Sequence, residues 1–107
     1  MKTKTAELQG TALDWAVAKC EGHHYPCTVE DDEWFSPSTN WEQGGPIIER
    51  EKIQSTIVST GGIIAWQCYY HSGYEPIGDG PTMLIAAMRC YVAYKLGDEV
   101  KIPAELT

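Results

Sequence analysis

Residues 78–97 read Gly78-Asp79-Gly80-Pro81-Thr82-Met83-Leu84-Ile85-Ala86-Ala87-Met88-Arg89-Cys90-Tyr91-Val92-Ala93-Tyr94-Lys95-Leu96-Gly97, and this stretch decides the fold. Pro81 suits the first helical position, where its missing N–H costs nothing, and Gly97 suits a left-handed stop. Between them Ile85, Met88, Val92 and Leu96 recur at helical spacing, with Leu84 and Tyr91 beside them. The other side, Thr82, Ala86, Arg89 and Ala93, is small rather than polar. A helix that is apolar or small nearly all round is covered on most sides. Residues 81–96 therefore read as a central helix, roughly 24 Å long at ~1.5 Å per residue. Leu84, Ile85, Met88, Val92 and Leu96 are expected in the core. Gly80 falls at the N-cap and brings no side-chain oxygen, which would leave the amides of Thr82, Met83 and Leu84 free to meet an external anion.

Outward from this helix, the chain is a single domain over residues 1–107, with room for one core. Residues 1–8 suggest a short strand entering a turn. Thr11 followed by Asp14 reads as a capping box in its Asp form. It opens a helix with Leu13, Ala16, Val17 and Cys20 on its apolar face, Trp15 off the stripe and Gly22 at its end. His23 to Val29 suggests a turn into a short strand, and Asp31-Asp32-Glu33 a solvated charge run. Residues 34–46 are rich in turn formers and hydroxyls and read as a long loop. A short helix follows, with Pro46 at its first position and Ile47 and Ile48 inward. Thr56–Ser59 and Ile63–Tyr69 read as strands joined at Thr60-Gly61-Gly62. His71 to Asp79 is a second loop, and Asp98 to Thr107 a polar tail carrying Val100 and Ile102. The fold class is α+β: the central C-terminal helix packs on a small, mainly antiparallel sheet and on an N-terminal helix.

Eight basic against fifteen acidic residues give a net charge of −7. That lacks the basic footprint of sequence-independent nucleic-acid binding. No apolar run is long enough to span a membrane, and the Met-Lys-Thr-Lys-Thr start lacks the apolar run of a signal peptide. A cytoplasmic protein with reduced cysteines is expected. Four tryptophans and six tyrosines are many for this length. They suit a core plus a homo-oligomer interface, or a stacking surface for a flat ligand.

Several chemistries can be weighed from spacing. Cys20-x-x-His23 and Cys68-x-x-His71 share an internal spacing compatible with a Cys2His2 zinc site. However, Cys20 falls on an apolar helix stripe and Cys68 in a β pattern, as buried free cysteines do; no metal and no cofactor are expected. Asp79, Glu42 and Glu49 show no spacing that marks an acid–base pair, so no catalytic residue is assigned. Gly78-Asp79-Gly80 is not a dinucleotide fingerprint, and there is no Walker motif. What remains is a constellation of two loops and a helix start. Ser36, Ser38, Thr39 and Asn40 offer hydroxyls and an amide, and Gly44 and Gly45 offer unobstructed backbone N–H groups. Gly80, Thr82 and Met83 offer the helix terminus, Arg50 or Arg89 a positive charge, and Trp41 a flat face beside Trp34, Phe35 and Trp66. Together these suit a small anionic, nucleotide-like ligand. On the bland alternative, Arg89 neutralises a buried carboxylate and the loops cap each other.

Ser36-Pro37-Ser38-Thr39-Asn40-Trp41-x-x-Gly44-Gly45-Pro46-Ile47-Ile48-Glu49-Arg50-Glu51 and Gly80-Pro81-Thr82-x-Leu84-Ile85-Ala86-Ala87-Met88-Arg89-Cys90-Tyr91-Val92 carry a resemblance. With Leu13-Asp14-Trp15-Ala16-Val17-Ala18 and Leu96-Gly97-Asp98-Glu99-Val100, the chain resembles the NinX-like family of tailed-phage accessory proteins over nearly its whole length. The resemblance implies a phage or prophage origin and the cytoplasm of a bacterial host. It implies no activity, so no catalytic residues carry over. Three functions then compete: a non-enzymatic binder that sequesters a host nucleotide signal used in defence, a protein-interaction module that inhibits or adapts a host or phage protein, and a small nucleotide hydrolase.

Overall fold

A computed structural model describes residues 2–22, 28–29, 33–34, 36–70 and 77–102. Strand β1 (Lys2–Lys4) runs through a 3-10 turn (Thr5–Glu7) into helix α1 (Gly10–Cys20). Strands β2 (Thr28–Val29) and β3 (Glu33–Trp34) pair as a minimal antiparallel ladder. Helix α2 (Trp41–Glu51) leads into β4 (Ile53–Thr60) and β5 (Ile63–Tyr70). Then come β6 (Ile77–Gly80), helix α3 (Met83–Leu96) and β7 (Glu99–Lys101). The main sheet has order β4-β5-β6, all antiparallel, while β7 closes back on β1. This is the expected α+β fold, with α3 at its centre: it packs on β6 and β5 on one side and on α1 and α2 on the other.

The core follows from α3. Leu84, Ala86, Ala87, Met88, Cys90, Tyr91 and Val92 are buried, and Leu8, Leu13, Val17, Ile47, Ile53, Cys68, Val100 and Ile102 close around them. Ile85 and Leu96, expected in this set, are only half-buried at its rim. Ala86 and Cys90, both fully buried, are the part of α3 that lies directly on β6. A Cβ on Gly78 would stand 2.2 Å from the Ala86 carbonyl oxygen and 2.5 Å from the Cys90 nitrogen. A Cβ on Gly80 would stand 2.9 Å from the Ala86 nitrogen. Glycine here permits backbone to rest on backbone.

Several boundaries differ from the sequence reading. The α3 N-cap is Thr82, whose hydroxyl accepts from the Ile85 N–H at 3.1 Å, and not Gly80, which ends a strand. The side-chain oxygen that was missing at Gly80 is available two residues later. Helix α1 begins at Gly10 without a side-chain cap, since the Asp14 carboxylate is turned inward and accepts from the Ser38 N–H at 2.9 Å. Helix α2 begins five residues before Pro46. Asn40 caps it by accepting from the Glu42 N–H, which makes residues 41–46 helix rather than loop. Residues 77–80 are a third strand rather than part of a loop, and residues 99–101 of the supposed tail are a strand. The Thr60-Gly61-Gly62 turn is as expected: Gly61 and Gly62, at φ 59 and 82, make the left-handed pair of a two-residue hairpin. The Asp31-Asp32 part of the charge run, Phe35, residues 71–76 of the second loop and the tail beyond residue 102 lie outside the described residues.

Truncating the fully buried Met88 to Ala should cost ~2–5 kcal/mol in denaturant unfolding. Gly78→Ala should cost ~1–3 kcal/mol or more, although it only adds a methyl group, because the atoms it meets are backbone. A neutral Gly78→Ala would mean that α3 does not rest on β6 as described.

Candidate functional site

The start of α3, the 36–40 turn and β5 enclose a cleft of about 510 Å3, lined by Ser38, Thr39, Trp41, Trp66 and residues 81–85. The turn is built by the Thr39 and Asn40 amides, which both donate to the Ser36 carbonyl, at 3.1 and 2.9 Å. Gln43 of α2 reaches back to accept from the Ser36 N–H. Asn40 then starts α2, which sets Trp41 on its first turn, 54% exposed beside the cleft. Trp66 enters from β5 opposite Gly80, so the register of β5 on β6 sets its place near the start of α3. Thr82 and Met83 close the far end, where the first-turn amides of α3 have no partner within the helix. The Thr82 hydroxyl accepts from the amide of Ile85, and its carbonyl from that of Ala86.

Ser38 is the most constrained wall residue, 2% exposed. Its N–H is held by Asp14, and its Oγ has no well-directed hydrogen-bond partner among the described residues, although the Asp14 carboxyl lies beside it. Burial pushes the Asp14 carboxyl above its ordinary 3.8, against the hydrogen bonds from Ser38 that pull it down. Sequence reading placed Asp14 in a helix cap and missed this role. The available signal was an acidic residue on the buried side of α1, between Leu13 and Val17.

The expected site residues divide. Ser38, Thr39, Trp41, Thr82 and Met83 come together at the cleft. Ser36 and Asn40 shape the turn behind it. Gly44 and Gly45 are inside α2, where the Gly44 N–H is spent on the Asn40 carbonyl at 2.8 Å. Gly44 matters through its lack of a side chain, since a Cβ there would stand 2.4 Å from the Pro37 carbonyl oxygen and 2.6 Å from Leu84. Gly80 lies in β6 beneath α3.

Neither arginine lines the cleft. Arg50 forks onto Glu21, with its two terminal nitrogens 3.0 and 2.6 Å from the carboxylate oxygens. It also reaches Glu51 at 3.0 Å and the Tyr91 hydroxyl at 3.0 Å. Tyr91 in turn donates to Glu21, and Tyr70 donates to Glu51 at 3.1 Å. This network ties the end of α1 to α2, α3 and β5, and Glu21 and Glu51 push the Arg50 pKa upward. Arg89 donates to the carbonyls of Leu8 and Asp79, each at 2.7 Å, so its partners are backbone oxygens rather than a buried carboxylate. It borders a separate cavity of about 770 Å3, together with Lys4, Ile77, Ala93, Asp98 and Glu99. Burial lowers its pKa, which Asp79 partly offsets.

Burial pushes the Cys20 and Cys90 thiols up to about 12 and the Cys68 thiol to about 11, far from thiolate character at neutral pH. His23 and His71, the other halves of the possible zinc pairs, lie outside the described residues. Among the described residues, no group of three or more His, Cys, Asp or Glu side chains is placed to hold a metal. Among them, too, no helix is long and apolar enough to cross a membrane.

The buried Asp14 carboxyl makes the stability of the fold depend on pH. A raised folded-state pKa means that the ionised carboxylate penalises the fold above that pKa, and that the penalty vanishes below the ordinary value of 3.8, where both states are protonated. Asn at this position keeps an acceptor for the Ser38 N–H without the buried charge. Asp14→Asn should therefore gain stability relative to the parent at neutral pH, and the gain should disappear below 3.8. Urea unfolding of both proteins across that range checks it; a variant that loses stability more at neutral pH than in acid would contradict it.

A search of curated proteins finds no match to this chain. The family model described as bacteriophage P22 NinX matches residues 4–95, a span that holds the 36–40 turn, α2, the main sheet and nearly all of α3. By that match over most of its length, the chain belongs to the phage P22 NinX family.

Proposed function

We propose that this phage accessory protein is a non-enzymatic binder of a small, nucleotide-like ligand, held in the cleft between Trp41, Trp66 and the start of α3. The observation that carries the reading is the pairing of two tryptophans with the N-terminus of a 14-residue helix around one cleft. A flat ring gains stacking area on the indoles. An anionic group at the other end meets the free first-turn amides and the positive end of the helix dipole. The net charge of −7 opposes an anion only over about 8 Å at physiological salt. Both arginines are engaged elsewhere, so affinity in this reading comes mainly from the ring and only secondarily from the charge.

Sequestration is the mode proposed, since the described lining is aromatic, aliphatic and hydroxyl-bearing, which suits holding a ring. A binder made in quantity lowers the free concentration of its ligand without transforming it, and a host nucleotide signal used in defence is the class of target proposed. Ile57, Ile63 and Ile64 of the β4–β5 hairpin are exposed and do not line the cleft.

Calorimetry against linear and cyclic nucleotides tests this. One member of the panel should bind, and Trp66→Ala should weaken it by ~1–3 kcal/mol. Arg89→Ala should leave that affinity unchanged while costing about 1.5–3 kcal/mol of fold stability through lost charge-assisted hydrogen bonds. Absence of heat with every nucleotide, or loss of binding in Arg89→Ala with Trp66→Ala unaffected, would move the site or remove it.

A further inference from the structure

Strand β4 is an edge of the main sheet, and among the described residues no strand lies on its outer side. It is eight residues long and pairs with β5 without a bulge. Exposed edges are normally protected by charge, proline, bulges or shortness, and β4 has none of these. Residues 53–70, the whole β4–β5 hairpin, contain no charged residue, although the chain carries eight basic and fifteen acidic ones. This is the longest uncharged stretch in the sequence. The far end of the hairpin is also apolar and open: Ile57 is 58% exposed and Ile64 66%. Ile57 stands opposite Trp66, and Ile64 is two residues from Trp66 on β5, so the three share the sheet face that carries buried Cys68 further along.

The hairpin geometry says which backbone groups face outward. Across a two-residue turn, Thr60 and Ile63 form a hydrogen-bonded pair. By alternation, Val58–Ala65 and Thr56–Gln67 do the same, and Ser55, Ile57 and Ser59 present their N–H and C=O to the open edge. Those outward positions read Ser-Ile-Ser, symmetric about Ile57.

We propose that a second copy of this chain pairs with β4 antiparallel about a two-fold axis at Ile57, joining two three-stranded sheets into one. Ile57 then meets the same residue of the other copy, and Ser55 meets the other copy's Ser59. An isologous contact needs such a self-complementary edge. Two chains of net charge −7 meet there without opposing like charges, and the uncharged edge offers a charged partner no side chain to pair with. The joined inner face places Ile57 and Ile64 of both copies in one apolar stripe. The proposal rests on the β4–β5 hairpin and is independent of the ligand reading.

Sedimentation velocity on the full chain across micromolar concentrations is the test. The parent should sediment as twice 11.9 kDa. Ile57→Lys, at an exposed position, should raise the dimer dissociation constant by about tenfold or more. Ser59→Pro, which removes an outward N–H but no bond to β5, should do the same. Ile63→Lys, on the opposite face of β5, should leave association unchanged. A parent that stays at 11.9 kDa overturns the proposal. So does a dimer that survives both β4 substitutions, or one that Ile63→Lys disrupts as strongly as they do.

Discussion

The structure depends on one close contact, the rest of α3 directly on β6. Gly78 and Gly80 present bare backbone to Ala86 and Cys90, and no side chain fits between them. Small residues on α3 are therefore a packing surface, and the larger ones, Met88, Tyr91 and Val92, are free to fill the space toward α1 and α2. The contact also fixes the height at which α3 begins. Two residues after Gly80 the chain is already at the Thr82 cap, so the helix N-terminus is held beside Trp66, the β5 residue that pairs with Gly80.

The other elements are fastened to this pair by polar contacts at their ends. Thr5 donates its hydroxyl to the Gly97 carbonyl at 2.6 Å and its N–H to the Asp98 carbonyl at 2.7 Å, which joins the first turn of the chain to the end of α3. Asp14 and Ser38 join α1 to the turn that precedes α2. Arg50 gathers Glu21, Glu51 and Tyr91 at the opposite end. Exposed ion pairs alone contribute little, but here the fork closes on a tyrosine that is itself buried in the core, so its geometry is held by packing. The cleft lies where these fastenings leave a gap, between the 36–40 turn and the start of α3.

Much of this was legible in the sequence because periodicity and turn chemistry are local. The α3 stripe, the Gly61-Gly62 hairpin and the apolar face of α1 are each visible within a few residues. What was not legible depended on distant partners. Pro46 advertises a helix start, yet Asn40 caps the helix earlier, and Gly44 and Gly45 are tolerated inside α2 because Gly44 packs against Pro37 and Leu84. Asp14 is correctly spaced to cap its own helix and instead serves Ser38, a residue 24 positions away. The candidate site divides in the same way. Composition and position pointed to Ser38, Thr39, Trp41, Thr82 and Met83, which line the cleft, but also to Gly44, Gly45 and Gly80, which do not, and the roles of Arg50 and Arg89 were decided by Glu21, Tyr91 and the Leu8 carbonyl, none of them near in sequence.

The ligand reading proposed above distinguishes the cleft at the start of α3 from the cavity beside Arg89. Backbone and indole N–H chemical shifts, followed while a nucleotide is titrated into the labelled protein, test it most directly. Binding in the cleft should give saturable shifts concentrated at Thr39, Thr82, Met83 and Leu84 and at the indoles of Trp41 and Trp66. Shifts centred instead on Lys4, Arg89, Asp98 and Glu99, or no saturable shift with any nucleotide, would contradict it.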